Sequence, residues 1–339
     1  VTQKAKDTSP IPGMHLVTSL DVRIQGAAEA GLATAVKSAR AQGYRADGGA
    51  AVVMDVNTGR VLAMASYPTY DPNIWEKGLT VAQAKDMYSA STYVPALSRP
   101  LQGLFAPAST FKAISIFAAV KAGYNLNATY DCPGSYKVGN RDFTNYESKE
   151  LGRMNLKTGI AVSCDTLWYK IAYSEWLKDG GLSPKNPNNF FFNTAHQFQL
   201  DKKTGIDLPG EAFGRIPDRE WKVNYWKQNK DFYCNYQSRA AKKDLTPFLI
   251  QLAKENCIDG GVLRAGDAVN FSIGQGDTVI TPLKQAQVYS AIANGGTLWQ
   301  PLVAKAIVKT DGTIVKTFSP KVMGKVEADS TTFAWLKDA

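Results

Sequence analysis

The sequence predicts an α+β fold in which both ends of the chain build an antiparallel sheet and helices lie between. β-rich runs flank a turn at Asn57-Thr58-Gly59 near one end and at Asp311-Gly312 near the other, each the pattern of a hairpin. Between these hairpins the hydrophobic spacing is mainly helical.

Residues 1–15, polar and with two prolines, read as a linker. Residues 16–43 read as a short strand leading into a helix: Leu32, Ala35, Val36 and Ala39 recur at helical spacing, and Gly43 suits the stop. The first hairpin follows and ends at Pro68, after which residues 69–107 look irregular and aromatic. From Ser109 to about Val120 the pattern is helical and almost wholly apolar after Lys112, so this helix should be buried. Residues 155–177 read as two helices joined near Ser163 to Asp165, and 179–245 as a loop-rich stretch heavy in Pro, Asn, Trp and Tyr. "SIGQGDTVITPLKQAQVYSAIANGG" reads as a loop, a Pro-initiated helix and a Gly-Gly stop. The chain closes on a helix, "DSTTFAWLKDA", which Asp329 or Ser330 would cap.

Composition bounds the function. At 339 residues, 44% hydrophobic and 20% charged, the chain has ample length for a core and is not of the disordered class. The net charge of +9 fits a solvated, lysine-rich surface or attraction to an anionic polymer or membrane. No helix-turn-helix, zinc-finger or RNA-binding signature appears, so nucleic acid is not an expected partner. The longest apolar run, "AISIFAAV", is far short of the roughly 20 residues of a membrane span. The first residue is Val1 and not methionine, as expected where a signal or anchor has been removed. Cys132, Cys164, Cys234 and Cys257 form no C-x-x-C pair and only two histidines accompany them, so a zinc site is not expected, and the chemistry developed below implies no metal or other cofactor. They fit free buried thiols or one disulfide, with Cys234 and Cys257 the favoured pair.

The chemistry starts at "APASTFKAIS", which holds the S-x-x-K tetrad Ser109 and Lys112. Pro107 favours a helix start, and i, i+3 spacing puts both side chains on one helical face. Apolar surroundings depress a lysine pKa, and a neutral amine can take the proton of a serine hydroxyl. The helix N-terminus adds partial positive charge near the nucleophile. Ser163-Cys164-Asp165, in the joint between two helices, could present a hydroxyl to relay a proton and a carboxylate to tune Lys112 or bind substrate. Taken alone each motif has a plain alternative: an exposed lysine at a helix start, or a capping Ser/Asp loop like Ser19-Leu20-Asp21.

Together these segments resemble the transpeptidase domain of class B penicillin-binding proteins, and most closely the elongation type. "LFAPASTFK" is similar to the family's nucleophile motif and "SCD" to its second, S-x-[N/D]. "VTSLDVRIQ", "GAAVVMDVNTGRVLAMASYPTYDPN", "SRPLQG", "TGIDLPGE" and the "SIGQG" segment agree in order over about residues 16–300. Ala108 replaces the glycine usual before the serine, and Asp165 stands where many relatives have Asn.

The resemblance implies the penicillin-binding, serine β-lactamase-like fold, with an α-rich subdomain beside the sheet. It implies a D,D-transpeptidase acting on peptidoglycan stem peptides through an acyl-serine at Ser109, with β-lactams acylating the same residue. Lys112, Ser163 and Asp165 complete the expected catalytic set. It further implies a glycosyltransferase partner of the elongation machinery and an extracytoplasmic location at the cell membrane, held by an anchor upstream of Val1. Two other functions share the motifs: a D,D-carboxypeptidase or β-lactamase, in which water resolves the acyl-enzyme, and a scaffold that keeps the fold without chemistry.

The family's third motif, Lys-[Ser/Thr]-Gly, should sit on an inner strand beyond the "SIGQG" segment. Lys203-Thr204-Gly205 precedes that segment and belongs to "TGIDLPGE"; Lys157-Thr158-Gly159 falls in the helix before Ser163. Both are expected to be decoys, and the motif to lie past Ala339, so that residues 16–339 are a transpeptidase domain lacking its C-terminal part.

Overall fold

The computed structural model describes residues 12–76 and 78–339, so most of the expected linker lies outside the described residues. The chain forms two compact units, each built from separated segments. One comprises the chain through Gln102, Thr204–Glu211 and Leu298–Gly324; the other comprises Gly103–Lys203, Ala212–Thr297 and Lys325–Ala339.

The first unit opens with strand β1 (His15–Thr18) and helix α1 (Val22–Ala41). Asp21 caps α1 by accepting from the amides of Arg23 and Ile24. Strands β2 (Gly49–Met54) and β3 (Val61–Tyr67) pair antiparallel from Gly49 against Tyr67 to Met54 against Val61, as the Asn57-Thr58-Gly59 turn predicts. Val61, Ala63 and Ala65 alternate into the core, and α1 packs on β3. The following stretch is more ordered than its irregular sequence suggests. It holds α2 (Val81–Tyr88), started by a capping box between Thr80 and Gln83, and the short α3 (Arg99–Gln102).

The second unit is mostly helical. A 3₁₀ turn, Ala108–Phe111, runs into α4 (Lys112–Lys121), which is buried from Lys112 through Ala119. Two small antiparallel pairs follow: β4 (Tyr130–Cys132), β5 (Ser135–Val138), β6 (Arg141–Thr144) and β7 (Gly152–Met154) pair as β4 with β7 and β5 with β6. Helices α5 (Leu156–Ala161) and α6 (Asp165–Lys178) then meet at Ser163, the joint the sequence predicts. The expected loop-rich stretch contains helices α7 (Phe190–Gln197), α8 (Arg219–Cys234) and α9 (Tyr236–Arg239). The 16-residue α8 has no buried residue, so it shows no apolar stripe to read. It is started by Asp218, packs on α10 (Pro247–Asp259) and is tied to it by the Cys234–Cys257 disulfide. Helices α11 (Ala265–Ser272) and α12 (Pro282–Asn294) complete this block, α11 against α6.

The chain then adds β8 (Thr297–Trp299), β9 (Ala304–Val308), β10 (Ile314–Thr317), β11 (Val322–Lys325) and α13 (Ser330–Asp338). In the first unit β1 pairs with β9 and β9 with β10, so strands from both ends of the chain share one sheet. Asp311 accepts from the Thr313 amide at the β9–β10 turn. Asp329 occupies the N-cap of α13, although its side chain makes no capping bond.

The cysteines differ from expectation. Cys234 and Cys257 are bonded, and Cys132 and Cys164 are bonded as well, so the described residues include two disulfides and no free thiol. A separation of 32 residues hides the second pair from local pattern; β4–β7 pairing is what sets Cys132 in place. Among the described residues no helix is long and apolar enough to cross a membrane, and no group of acidic, His and Cys side chains could hold a metal.

Candidate active site

The four side chains singled out by sequence converge within the second unit. Ser109 sits in the 3₁₀ turn and Lys112 opens α4, so one turn of helix brings them to 3.2 Å, Oγ to Nζ. Ser163 and Asp165 arrive from the α5–α6 joint. The Lys112 amine lies 2.9 Å from the carbonyl of Ser163, 2.9 Å from its Oγ and 2.5 Å from Asp165 Oδ1. Ser163 Oγ is 2.9 Å from Ser109 Oγ.

Lys112 is only 1% exposed, whereas Ser109 faces solvent. Burial favours the neutral amine and pulls the Lys112 pKa below the ordinary lysine value; the hydrogen bond and charge of Asp165 oppose that pull. Four oxygens surround the nitrogen, and an ammonium has three hydrogens to donate. Once the amine is neutral, one hydroxyl can instead donate into its lone pair. This geometry allows a proton to pass between Ser109, Lys112 and Ser163 without any side chain moving far.

The backbone here is held in unusual conformations. Ser163 has φ +56° and Ala108 has φ +49°, both in the left-handed region that costs a non-glycine residue roughly 1–2 kcal/mol. That explains why the resemblance expects glycine at position 108. The Ala108 amide donates to the Gly274 carbonyl at 2.9 Å, which anchors the turn that carries Ser109 on the segment after α11. Gly274 has φ +68°, and a Cβ there would stand 2.5 Å from Phe111 Cβ and 2.6 Å from the Ala108 carbonyl oxygen. The "SIGQG" glycine therefore allows a close backbone approach beside Ser109.

Two features went unread in the sequence. Asn145 lies in the turn after β6 and accepts from the amides of Asp165 and Thr166. The Cys132–Cys164 disulfide ties the middle residue of the Ser163–Asp165 triplet to β4. Cys164, enclosed between two candidate reactive residues, was the available signal for the second; a lone Asn in a polar loop gave none for the first.

Neither Lys-Thr-Gly copy lies on a strand. Lys157-Thr158-Gly159 is inside α5, with Lys157 paired to Asp338 at 2.6 Å. Thr204 is buried in the first unit, where Glu211 accepts from its amide at 2.7 Å, from its hydroxyl at 2.5 Å and from the Gly205 amide at 3.1 Å. That pairing accounts for the Thr-Gly and the Glu of "TGIDLPGE" as a structural turn.

Residues 49–339 match the family model of the penicillin-binding protein transpeptidase domain. The chain belongs to this family. It is 29% identical over 314 residues to the peptidoglycan D,D-transpeptidase MrdA of Escherichia coli K12, covering 89% of this chain and 39% of that protein. Among solved structures it is similar to penicillin-binding protein 2 of Pseudomonas aeruginosa in complex with WCK 5153, with TM-score 0.70 and 28% identity over 96% of this chain and 61% of that one. It is also similar to a chain of a peptidoglycan synthase complex that coordinates polymerization and crosslinking, with TM-score 0.70 and 26% identity over 97% of this chain and 49% of that one. The chain thus spans about two fifths of the length of the curated relatives it matches. The penicillin-binding fold and the elongation-type resemblance predicted from sequence agree with these matches.

Proposed function

We propose that this chain is the transpeptidase domain, covering residues 16–339, of a D,D-transpeptidase that crosslinks peptidoglycan stem peptides through an acyl-serine at Ser109. The observation that carries the reading is a buried lysine amine between two serine hydroxyls and a carboxylate, in a member of a family whose curated relatives are named D,D-transpeptidases.

Ser109 Oγ attacks the carbonyl carbon of the penultimate D-Ala, and neutral Lys112 takes its proton. The tetrahedral adduct collapses as the C–N bond to the terminal D-Ala breaks. Ser163 passes a proton from Lys112 to the departing amine, which leaves as free D-Ala. An amine of a second stem peptide then attacks the acyl-enzyme, gives up its proton by the same route in reverse, and releases Ser109. Asp165 holds Lys112 in place and balances its charge while it carries the proton. A β-lactam follows the first half of this path; its ring amide opens on Ser109 and the nitrogen stays attached.

The relatives' names support peptidoglycan and a polymerising partner as the setting, and we assign this protein a glycosyltransferase of the elongation machinery. Two disulfides suit an oxidising compartment, which supports an extracytoplasmic site of action at the cell membrane. The test is intact and peptide mass spectrometry of the purified protein before and after benzylpenicillin. One penicilloyl group mapped to Ser109 and retained for many minutes supports the transpeptidase. Rapid release of hydrolysed antibiotic points to a β-lactamase, and no adduct at all to a scaffold.

A further inference from the structure

Helix α6 carries Asp165 as its first residue, and its opening amides need acceptors. The residue at the N-cap is Cys164, whose sulfur belongs to a disulfide and is a weak acceptor; the Leu167 amide reaches it at 3.3 Å. The Asp165 and Thr166 amides are satisfied from elsewhere. Asn145, 20 residues upstream and 4% exposed, accepts both on Oδ1 at 2.9 and 3.0 Å. Its Nδ2 donates to the carbonyls of Pro133 and Lys149, each at 2.9 Å, and points at Cys132 Sγ at 3.4 Å. Both faces of the amide are thus in use, and reversing it would set donors against donors and acceptors against acceptors. The neighbouring Thr166 hydroxyl donates to the same Pro133 carbonyl at 2.7 Å.

We propose that Asn145 is a positioning residue for the reaction: its amide clamps the first turn of α6 to the β4–β7 loops and so fixes the Asp165 carboxylate on Lys112. The disulfide holds the residue on one side of this clamp, and Ser163 in its left-handed conformation stands next to it. Without Asn145 the Asp165 and Thr166 amides and the Lys149 carbonyl lose this partner, the Pro133 carbonyl keeps only the Thr166 hydroxyl, and the turn that carries Asp165 relaxes toward solvent. The inference rests on Ser109 and Lys112 being the reacting pair.

The test measures the second-order rate of acylation by benzylpenicillin against pH, counted per titratable active site so that unfolded protein does not register. The groups that face Lys112 are Ser109, Ser163 and Asp165, with Tyr169 one turn further along α6 and in range of the Asp165 charge. Asn145→Ala should lower the plateau rate by about ten- to hundredfold, the scale of a misplacement near 1 Å. It should also move the acid limb of the profile to lower pH by about one unit, because a lysine that loses its carboxylate holds its proton less tightly. Asn145→Asp, which keeps an acceptor for the two α6 amides, should leave the acid limb at or above its wild-type position. Should Asn145→Ala fail to fold, Asn145→Ser is read on the same two axes with the same expectation. A lower plateau with an unmoved limb would mean that Asn145 is merely structural, and an unchanged profile would mean that it does nothing; either overturns the proposal. Wild-type protein that is not acylated on Ser109 would sink the proposed function instead, which keeps the two failures apart.

Discussion

Asp165→Asn is the sharpest probe of how Lys112 is set. The substitution preserves shape and leaves an oxygen that Lys112 can still donate to, so it removes charge with little else. Opposite unit charges with centres ~4 Å apart attract by ~4 kcal/mol at an effective dielectric of ~20, and all of that attraction favours the protonated amine. The Asp165 side chain is 17% exposed and solvent screening reduces that figure, so the acid limb of the acylation profile should fall by about one to two pH units. Burial depresses the Lys112 pKa and Asp165 raises it, so removing the carboxylate leaves desolvation unopposed. In the proposed mechanism acylation requires the neutral amine; its rate should therefore persist to lower pH in the variant. Stopped-flow acylation by a chromogenic β-lactam from pH 5 to 10, at constant ionic strength, reads the limb directly. An acid limb that stays within about 0.3 unit of wild type, or moves upward, would refute the claim that Asp165 sets the charge state of Lys112.

Three further outcomes are expected. Gly274→Ala should destabilise the protein by about 2–4 kcal/mol, from overpacking against Phe111 and Ala108 plus a positive φ, and should slow acylation; urea unfolding and the acylation rate check both. Opening the Cys132–Cys164 loop with the double substitution to Ser should cost about 3–4 kcal/mol on the chain-entropy estimate for its 32-residue separation, read by thermal or urea unfolding. His196 lies 2.9 Å from Asp218 and 3.2 Å from Asp201, and the hydrogen bond it donates to the Asp218 carboxylate raises its pKa above the usual value. The pair's stabilisation is therefore fully present below about pH 6.5 and fades as pH rises through the folded-state pKa. The Tm difference between wild type and His196→Asn should shrink between pH 6 and pH 8.

The parts of this molecule legible in its sequence are those where chemistry and local geometry coincide. Ser109 and Lys112 share a face because three residues separate them on a helix that Pro107 announces, and the apolar run after Lys112 signals its burial. That neither Lys-Thr-Gly copy lies on a strand is readable from their flanks. Asn145 was not readable, because its role depends on a loop meeting a helix start 20 residues away, and polar loop residues carry no period. The Cys132–Cys164 bond is hidden in the sequence because its partners stand 32 residues apart and meet only through tertiary packing. Helix α8 escaped because its stability comes from α10 and a disulfide instead of a buried stripe of its own. The strain at Ala108 and Ser163 belongs to backbone angles, which the residue names do not encode.

The disulfide at Cys164 has a practical consequence for handling the protein. Because the bond is formed by the residue between Ser163 and Asp165, oxidation history is written into the proposed reactive centre and not only into global stability. Material produced in a reducing cytoplasm and oxidised afterwards can pair four cysteines in three ways, and only one of them seats the α5–α6 joint correctly. Such a preparation would be a mixture of molecules with identical mass and unequal reactivity. Its penicillin-binding titre, and not its purity on a gel, would report the fraction of correctly oxidised protein.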